Sequence, residues 1–260
     1  MNIKKMLSSA VITALALLVI SVPLRAADMD GRIEATAKRS FVFQTYLRGD
    51  VVNVKSMDGV VTLTGTVSNA DHRSMAEEMV LSIEEVKSVV NQLSITGPTP
   101  IVNSDVWVGE RVRGALLMHR SVSYASTEVT VLDGNVTLRG EASSEAQKAL
   151  TGEYVKDVAG VKDVDNKMTV RAVVAAPHQT AAEIIDDASI TTQIKMSLLF
   201  HHGSDAFDTK VSTRAGVVTL TGTAKNQAEI DLATKRVNDI YGVKSVINKM
   251  TIEVSRSSTN

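Results

Sequence analysis

Histidines are the side chains in this 260-residue chain best suited to act as bases or metal ligands, since it has five of them and no cysteine. His201 and His202 are adjacent, so their side chains diverge, and no carboxylate lies at metal-ligand spacing in that helix. Two histidines at a helix end more often interact with the C-terminal dipole. His119 falls on an apolar face and is typical of a buried edge; His72 and His178 stand apart.

No motif in the chain supplies a catalytic centre. The patterns G-x-S-x-G and H-E-x-x-H and the phosphate loop are all absent, and the glycines of VVTLTG are too isolated to cradle a phosphate. The lack of cysteine also excludes disulfides, thiol catalysis and thiolate ligands. The sequence therefore predicts a protein that is not an enzyme and has no metal site and no cofactor.

Trp107, the only tryptophan, suggests a binding surface instead. At 100° per residue, Arg111, Gly114 and Met118 lie within about 40° of it on a helix. An exposed aromatic–arginine–methionine strip would suit phospholipid, with the indole at headgroup depth and the guanidinium on phosphate. These four residues are the candidate lipid-binding site. The alternative is that Trp107 packs against a neighbouring domain, because tryptophan favours both kinds of interface.

The elements that must position these residues come from an internal repeat. VVTLTG occurs at Val60–Gly65 and again at Val217–Gly222, and NVTLRG occurs between them at Asn135–Gly140. The segments VKSVVNQLSI, VKDVDNKMTV and VKSVINKMTI follow at identical spacing, and the copies start 75 and 82 residues apart. Such agreement predicts three tandem copies of one structural unit.

Periodicity predicts the fold of each copy. Ile190, Ile194 and Leu198 lie four apart and mark one face of a first helix, which has counterparts in all copies. A hairpin follows, then a second amphipathic helix and a closing strand. The predicted fold class is α+β: three small α-β-β-α-β domains, each a three-stranded mixed sheet with two helices on one face.

Six glycines recur at fixed positions of the hairpin. A turn glycine accepts positive φ at little cost, and a second glycine follows six residues later. We predict that these glycines are structural and that valine would destabilise the domain wherever the glycine has positive φ. They are Gly59, Gly65, Gly134, Gly140, Gly216 and Gly222.

The N-terminus has the features of a signal peptide over residues 1–26. Lys4 and Lys5 precede the apolar stretch 10–20, and cleavage after Ala26 fits. The alternative, an uncleaved membrane anchor, is disfavoured because the stretch is too short to span comfortably. The absence of cysteine excludes a lipoprotein, so we expect a periplasmic protein. Loss of the three basic residues of the signal from the 28 present leaves a net charge of −4, which argues against nucleic acid as a partner.

The motif D-G-x-V-T-L-x-G, followed by an amphipathic helix and then G-V-K-x-V-x-N, resembles the BON domain of bacterial envelope proteins. The resemblance covers residues 28–96, 104–172 and 186–255. It implies association with phospholipid or the envelope and a role in osmotic or envelope stress, without catalytic residues. Two positions depart from the pattern: Ala215 replaces the turn aspartate, and Glu85 replaces the glycine that ends the second helix.

The resulting hypothesis is a non-enzymatic envelope protein that associates peripherally with a phospholipid surface. The alternative is a protein-interaction or chaperone-like module for envelope proteins. Only the second copy has the tryptophan–arginine pair, so we expect the second domain alone to bind. The linker 96–104 contains two prolines and is predicted to be stiff, whereas the longer, Ala-rich linker 171–185 predicts a third domain that moves more freely.

Overall fold

The computed structural model describes residues 21–97, 100–122, 124–171, 185–202 and 209–253. Residues 1–20 of the predicted signal peptide and His178 lie outside these ranges. No helix in the described ranges is both long and apolar enough to cross a membrane.

The first domain forms the predicted mixed sheet with helices on one face. Its central strand pairs antiparallel with the first strand and parallel with the third, which confirms the predicted topology. Val54, Val61 and Leu63 point into the core under the helices. The elements are α1 (Ser21–Arg39), α2 (Phe41–Thr45), β1 (Val51–Met57), β2 (Val60–Val67), α3 (Ala70–Leu81) and β3 (Ser88–Ile95).

The second domain repeats this arrangement with an interrupted closing strand. Both segments of that strand run parallel to the central strand. The elements are α4 (Asp105–Met118), a 3-10 turn (Tyr124–Ser126), β4 (Thr127–Leu132), β5 (Asn135–Ala142), α5 (Glu145–Lys156), β6 (Asp163–Asn166) and β7 (Thr169–Val170).

The third domain has the same order, and both its central and its closing strand are divided into two segments. Its hairpin is antiparallel and its closing segments are parallel to their partners. The elements are α6 (Asp187–His202), β8 (Lys210–Arg214), β9 (Val217–Thr221), β10 (Thr223–Ala224), α7 (Gln227–Asn238), β11 (Ser245–Asn248) and β12 (Thr251–Ile252).

The first helix of the first domain is not continuous, contrary to the single first helix predicted for each copy. Ser40 adopts an extended conformation (φ −60°, ψ 150°) between α1 and α2. Its hydroxyl accepts a hydrogen bond from the N–H of Phe43 and so caps α2. The break gives α2 a separate N-terminus, which the third domain contacts.

An aspartate of each first helix holds the hairpin turn, and it is the first helical residue in the second and third domains. Asp105 accepts hydrogen bonds of 2.8 Å from the backbone N–H groups of Asp133 and Gly134. Asp30 and Asp187 do the same for the turns of the other two domains. Both turn residues have positive φ, as a type I′ hairpin requires. Ala215 therefore occupies a left-handed conformation (φ 52°) that disfavours a side chain.

The second glycine of each hairpin also has positive φ: 118° at Gly65, 118° at Gly140 and 131° at Gly222. A Cβ atom on Gly65 would lie 2.0 Å from the carbonyl oxygen of Val51, and one on Gly140 would lie 1.9 Å from that of Ser126. The condition on which the predicted destabilisation depends is therefore met, and the loss of stability remains a prediction.

The asparagine of the repeated V-x-N pattern ties the closing strand to the second helix. The Asn166 Nδ2 atom donates to the carbonyl oxygen of Lys148 (2.7 Å), and its Oδ1 accepts from the N–H of Met168 (3.2 Å). Asn91 and Asn248 make the same two bonds. The aspartates, glycines and asparagines of the repeat thus stabilise the fold of each copy.

Helix α6 lies at the centre of the molecule and packs on α2, α3 and α4. Its residues are buried on nearly every side, including the polar Ser189, Thr192 and Gln193. The expectation that the third domain moves more freely than the others is therefore wrong, because its first helix contacts both other domains.

Candidate functional site

The predicted lipid-binding strip lies on α4, but it is not exposed. Met118 is fully buried, Arg111 is 9% exposed, and Trp107 and Gly114 are half-buried. The ring of Trp107 packs against Gly160, where a Cβ atom would lie 3.0 Å from Cζ3 of the indole. The expectation of an exposed strip is wrong because α6 and the loop after α5 cover it.

Arg111 links the strip to the third domain. Its guanidinium lies 4.3 Å from the centre of the Trp107 ring, and Nη1 donates to the carbonyl oxygen of Leu199 (2.9 Å). Burial lowers the pKa of Arg111 and the nearby carboxylate of Asp71 opposes this, so the side chain stays charged. Phe200 packs on Gly114. Arg111 and Gly114 thus belong to an interdomain interface, whereas Trp107 contacts Gly160 and Arg111 of its own domain, so the alternative that Trp107 packs against a neighbouring domain stays a prediction.

Asp239 is the centre of the polar part of this interface. Its carboxylate accepts hydrogen bonds from the hydroxyls of Tyr154 (2.8 Å) and Ser121, and lies 3.5 Å from Nδ1 of His119. Arg120 donates to the carbonyl oxygen of Asn238 and lies 3.7 Å from the carboxylate of Asp239. Residues of the second domain therefore surround a carboxylate of the third.

The titration of these groups reflects their burial. Burial alone would raise the pKa of Asp239, but the neighbouring His119 ring and the hydrogen bonds from Ser121 and Tyr154 outweigh it and hold the pKa below its usual value. Burial raises the pKa of Tyr154, and the bond to Asp239 raises it further. Asp239 is thus charged and Tyr154 is a neutral donor at neutral pH.

The interface between the second and third domains has an approximate two-fold relation. Tyr154 contacts Asp239, and Asp157 pairs with Arg236. Because the two copies are offset by 82 residues, Tyr154 is equivalent to Arg236 and Asp157 is equivalent to Asp239. Each contact therefore joins the same two positions in exchanged roles, as in an isologous dimer.

Ser197, His119 and Asp239 follow one another in the order of a hydrolytic triad. Ser197 Oγ lies 3.5 Å from Nε2 of His119, whose Nδ1 is 3.5 Å from the Asp239 carboxylate. All three residues are buried, at 3%, 1% and 8% exposure. The three side chains are buried where the second and third domains meet, so the row is part of the interdomain packing.

The first domain meets the third through different surfaces. Asp186, before α6, accepts the N–H of Phe41 (3.0 Å), and Ser189 Oγ accepts the N–H of Val42 (3.2 Å). Tyr46 donates to Oε1 of Gln193 (2.9 Å). A carboxylate and a hydroxyl group of the third domain therefore accept hydrogen bonds from the free backbone N–H groups at the N-terminus of α2.

Three large exposed apolar side chains lie close together at the N-terminal end of α4 and in the linker just before it. Ile101 is 81% exposed, Val102 is 66% exposed and Val106 is 63% exposed. The positions equivalent to Val106 are Gly31 and Ala188, so the other copies lack this feature. We call Ile101, Val102 and Val106 the apolar tip. It adjoins the half-buried Trp107, and sequence reasoning missed it because such short apolar runs are common in linkers.

Metal binding finds no support in the ranges that the structure covers, where no group of three or more His, Asp or Glu side chains is arranged to hold an ion. His201 is buried at the end of α6, with its ring 5.9 Å from that of His119. His72 contacts the Asp50 carboxylate at 2.5 Å. Both histidines therefore take part in packing.

Comparison with protein families matches the BON domain model to residues 29–97, 104–172 and 186–254. The chain is 32% identical over 146 residues to the osmotically-inducible protein Y of Escherichia coli, covering 56% of this chain and 71% of that protein. It is 32% identical over 115 residues to the outer membrane lipoprotein DolP of Haemophilus influenzae, covering 44% and 56% respectively.

Among solved structures, the chain is similar to CdsD, a structural protein of the type III secretion system of Chlamydia trachomatis. The two share 18% identity, with a TM-score of 0.23 and coverage of 87% of this chain and 92% of that one.

Proposed function

Because this chain belongs to the BON domain family, we propose that it is a non-enzymatic envelope protein that associates peripherally with phospholipid surfaces and supports the envelope under osmotic stress. Two similar proteins are named for osmotic induction and for an outer-membrane location, which supports this assignment. Export through a cleaved signal peptide over residues 1–26, followed by residence in the periplasm, belongs to the same proposal.

The observation that carries the proposal is the apolar tip. Three large apolar side chains there are more than 60% exposed on one short segment. Water-exposed aliphatic groups gain free energy when they enter the apolar layer beneath lipid headgroups. The proposal keeps the contact at the second domain, but it moves the contact from the buried strip of Arg111 and Met118 to the start of the same helix and the linker before it.

Co-sedimentation of the mature chain with phosphatidylethanolamine–phosphatidylglycerol vesicles tests this function. Changing Ile101 and Val102 to serine should weaken binding at least about tenfold, since each buried aliphatic side chain contributes roughly 1.5–3 kcal/mol. Trp107 is adjacent to Val106, so its fluorescence should shift to the blue on binding only in the unaltered chain.

The matched control changes Val51 and Met57 to serine, because these residues of the first domain are 60% and 74% exposed. Vesicle binding should survive this change. Equal losses in both variants would contradict a site at the tip. Absence of vesicle binding, together with suppression of the aggregation of envelope proteins, would favour the protein-interaction function instead.

A further inference from the structure

A groove of about 520 Å³ lies where the first domain meets the third. One wall is α3 of the first domain, and the other is α6 together with the start of β8. The groove exists only because these domains pack together. Its volume is within the range of about 300–1,000 Å³ that is usual for sites of small ligands, which occur preferentially at domain interfaces.

The floor of the groove is apolar. The half-buried Leu199 and Val211 present its apolar surface, and Met196 and Leu198 lie almost fully buried beneath it. Carbon and sulfur atoms dominate this surface, and thioether and leucine side chains adapt to flexible alkyl chains. The floor therefore suits a hydrocarbon tail.

The rim carries charges of opposite sign on opposite walls. Glu78 and Lys195 form an ion pair of 2.7 Å between the two domains and close one side. Glu77 uses Oε2 to accept a hydrogen bond from Asn91 (2.8 Å). Lys210 makes no ion pair with any residue in the described ranges. The rim thus offers a carboxylate on the first domain and an ammonium group on the third.

This combination of charges is specific to the groove. The positions equivalent to Lys210 are Asn53 and Glu128, and those equivalent to Glu77 are Gly152 and Thr234. The fold of the repeat does not require a cation at Lys210, whereas Glu77 also accepts the hydrogen bond from Asn91, as the hydroxyl of Thr234 does from Asn248 in the third domain.

We propose that the groove binds one molecule of a single-chain zwitterionic lipid, of the lysophosphatidylethanolamine class. The acyl chain lies on Leu199 and Val211, the phosphate accepts hydrogen bonds from Lys210, and the ammonium group donates to Glu77. The opposite charges of the two walls match the two charges of this headgroup. The site is distinct from the apolar tip and does not depend on binding to a bilayer.

Calorimetric titration of the full mature chain with lysophosphatidylethanolamine, below the concentration at which it forms micelles, tests the proposal. We expect one molecule to bind per chain. Lys210→Met should weaken binding about tenfold to hundredfold, as expected for loss of a charge-assisted hydrogen bond, and Glu77→Gln should weaken it less. Arg214→Met is the matched control, because Arg214 is an exposed cation on the same strand but does not line the groove.

A neutral alkyl maltoside of equal chain length separates headgroup recognition from adsorption of the tail. It should bind at least about tenfold more weakly than the lysophospholipid. Equal affinity for the two ligands, or an unchanged affinity in Lys210→Met, would overturn the proposal. The Ile101→Ser, Val102→Ser variant should retain lysophospholipid binding, so failure at the tip and failure at the groove give different results.

Discussion

The two interfaces of the third domain differ in both geometry and chemistry. Towards the second domain, equivalent positions meet in exchanged roles around buried charges, with Asp239 bound by Tyr154 and Arg236 bound by Asp157. Towards the first domain, the N-terminal half of α6 contacts α2 and α3, and most of the bonds join neutral groups. One interface resembles a dimer within a chain, and the other is heterologous.

The difference shows how copies of one unit acquire separate roles. A pseudo-two-fold interface needs complementary changes at two positions in both copies, and these have produced a tyrosine and an aspartate in one domain and an arginine and an aspartate in the other. The heterologous interface instead uses the break at Ser40, which the other copies lack. The heterologous interface also leaves a groove, whereas the interface between the second and third domains is closely packed around His119.

The largest effect is expected when one domain is destabilised and the stability of the neighbouring domain is measured. Gly140→Val should destabilise the second domain by about 2–4 kcal/mol through strain and overlap with Ser126, and the third domain should open with it. Gly65→Val should destabilise the first domain by a similar amount but leave the amide groups of the second and third domains protected from exchange. Amide hydrogen exchange resolves the domains, and faster exchange confined to the second domain in Gly140→Val would show that the buried charges do not couple them.

Removal of the charge of Asp239 should have the next largest effect. In Asp239→Asn, the hydroxyls of Tyr154 and Ser121 would donate to a neutral amide oxygen instead of a carboxylate. We expect the free energy of unfolding to fall by about 1.5–3 kcal/mol. Chemical denaturation measures this loss of unfolding free energy. Asp231→Asn, on the exposed side of α7, serves as the control and should change stability by less than about 0.5 kcal/mol. Similar losses in the two variants would contradict a special role for Asp239.

Acid should weaken the same interface. The pKa of Asp239 is lower in the folded chain than its usual value of 3.8, so its contribution is fully present above that value and is lost as the pH falls through the folded-state pKa. The stability difference between the unaltered chain and Asp239→Asn should therefore shrink below about pH 4. Unfolding curves from pH 7 to pH 2 provide the measurement, and a constant difference would show that Asp239 does not titrate in this way.

The smallest effect is expected at the first–third interface. Lys195→Met removes the ion pair with Glu78, whose side chains are 35% and 28% exposed, and should cost no more than about 1 kcal/mol. Thermal melting compares this variant with Asp239→Asn. A larger loss in Lys195→Met would reverse the ranking of the two interfaces.

Much of the fold could be predicted because its signals are local. The alternation of Val61 and Leu63, the spacing of Ile190 and Ile194, and the repeated glycines all describe contacts within one copy of about 70 residues. The role of Asp105 in holding the hairpin turn was missed, since an acidic residue in a first helical turn is also explained by the helix dipole.

One sequence signal could have located the central helix. Between Asp187 and His201, Lys195 is the single charged residue, and apolar side chains occur around the whole circumference rather than on one stripe. A helix with this pattern is usually buried on all sides. The pattern of Trp107 and Arg111 gave no such indication, because an aromatic–arginine pair fits an exposed strip as well as an interface.

The sequence by itself determined the repeating unit, its mixed sheet and its strained glycines, because each copy builds its own core and its backbone must satisfy its own turns. Only the tertiary structure decided which copies meet and through which surfaces. Contacts such as Arg111 with Leu199 or Phe41 with Asp186 join residues 88 and 145 positions apart. No periodicity links positions so distant, and their geometry depends on the packing of whole domains.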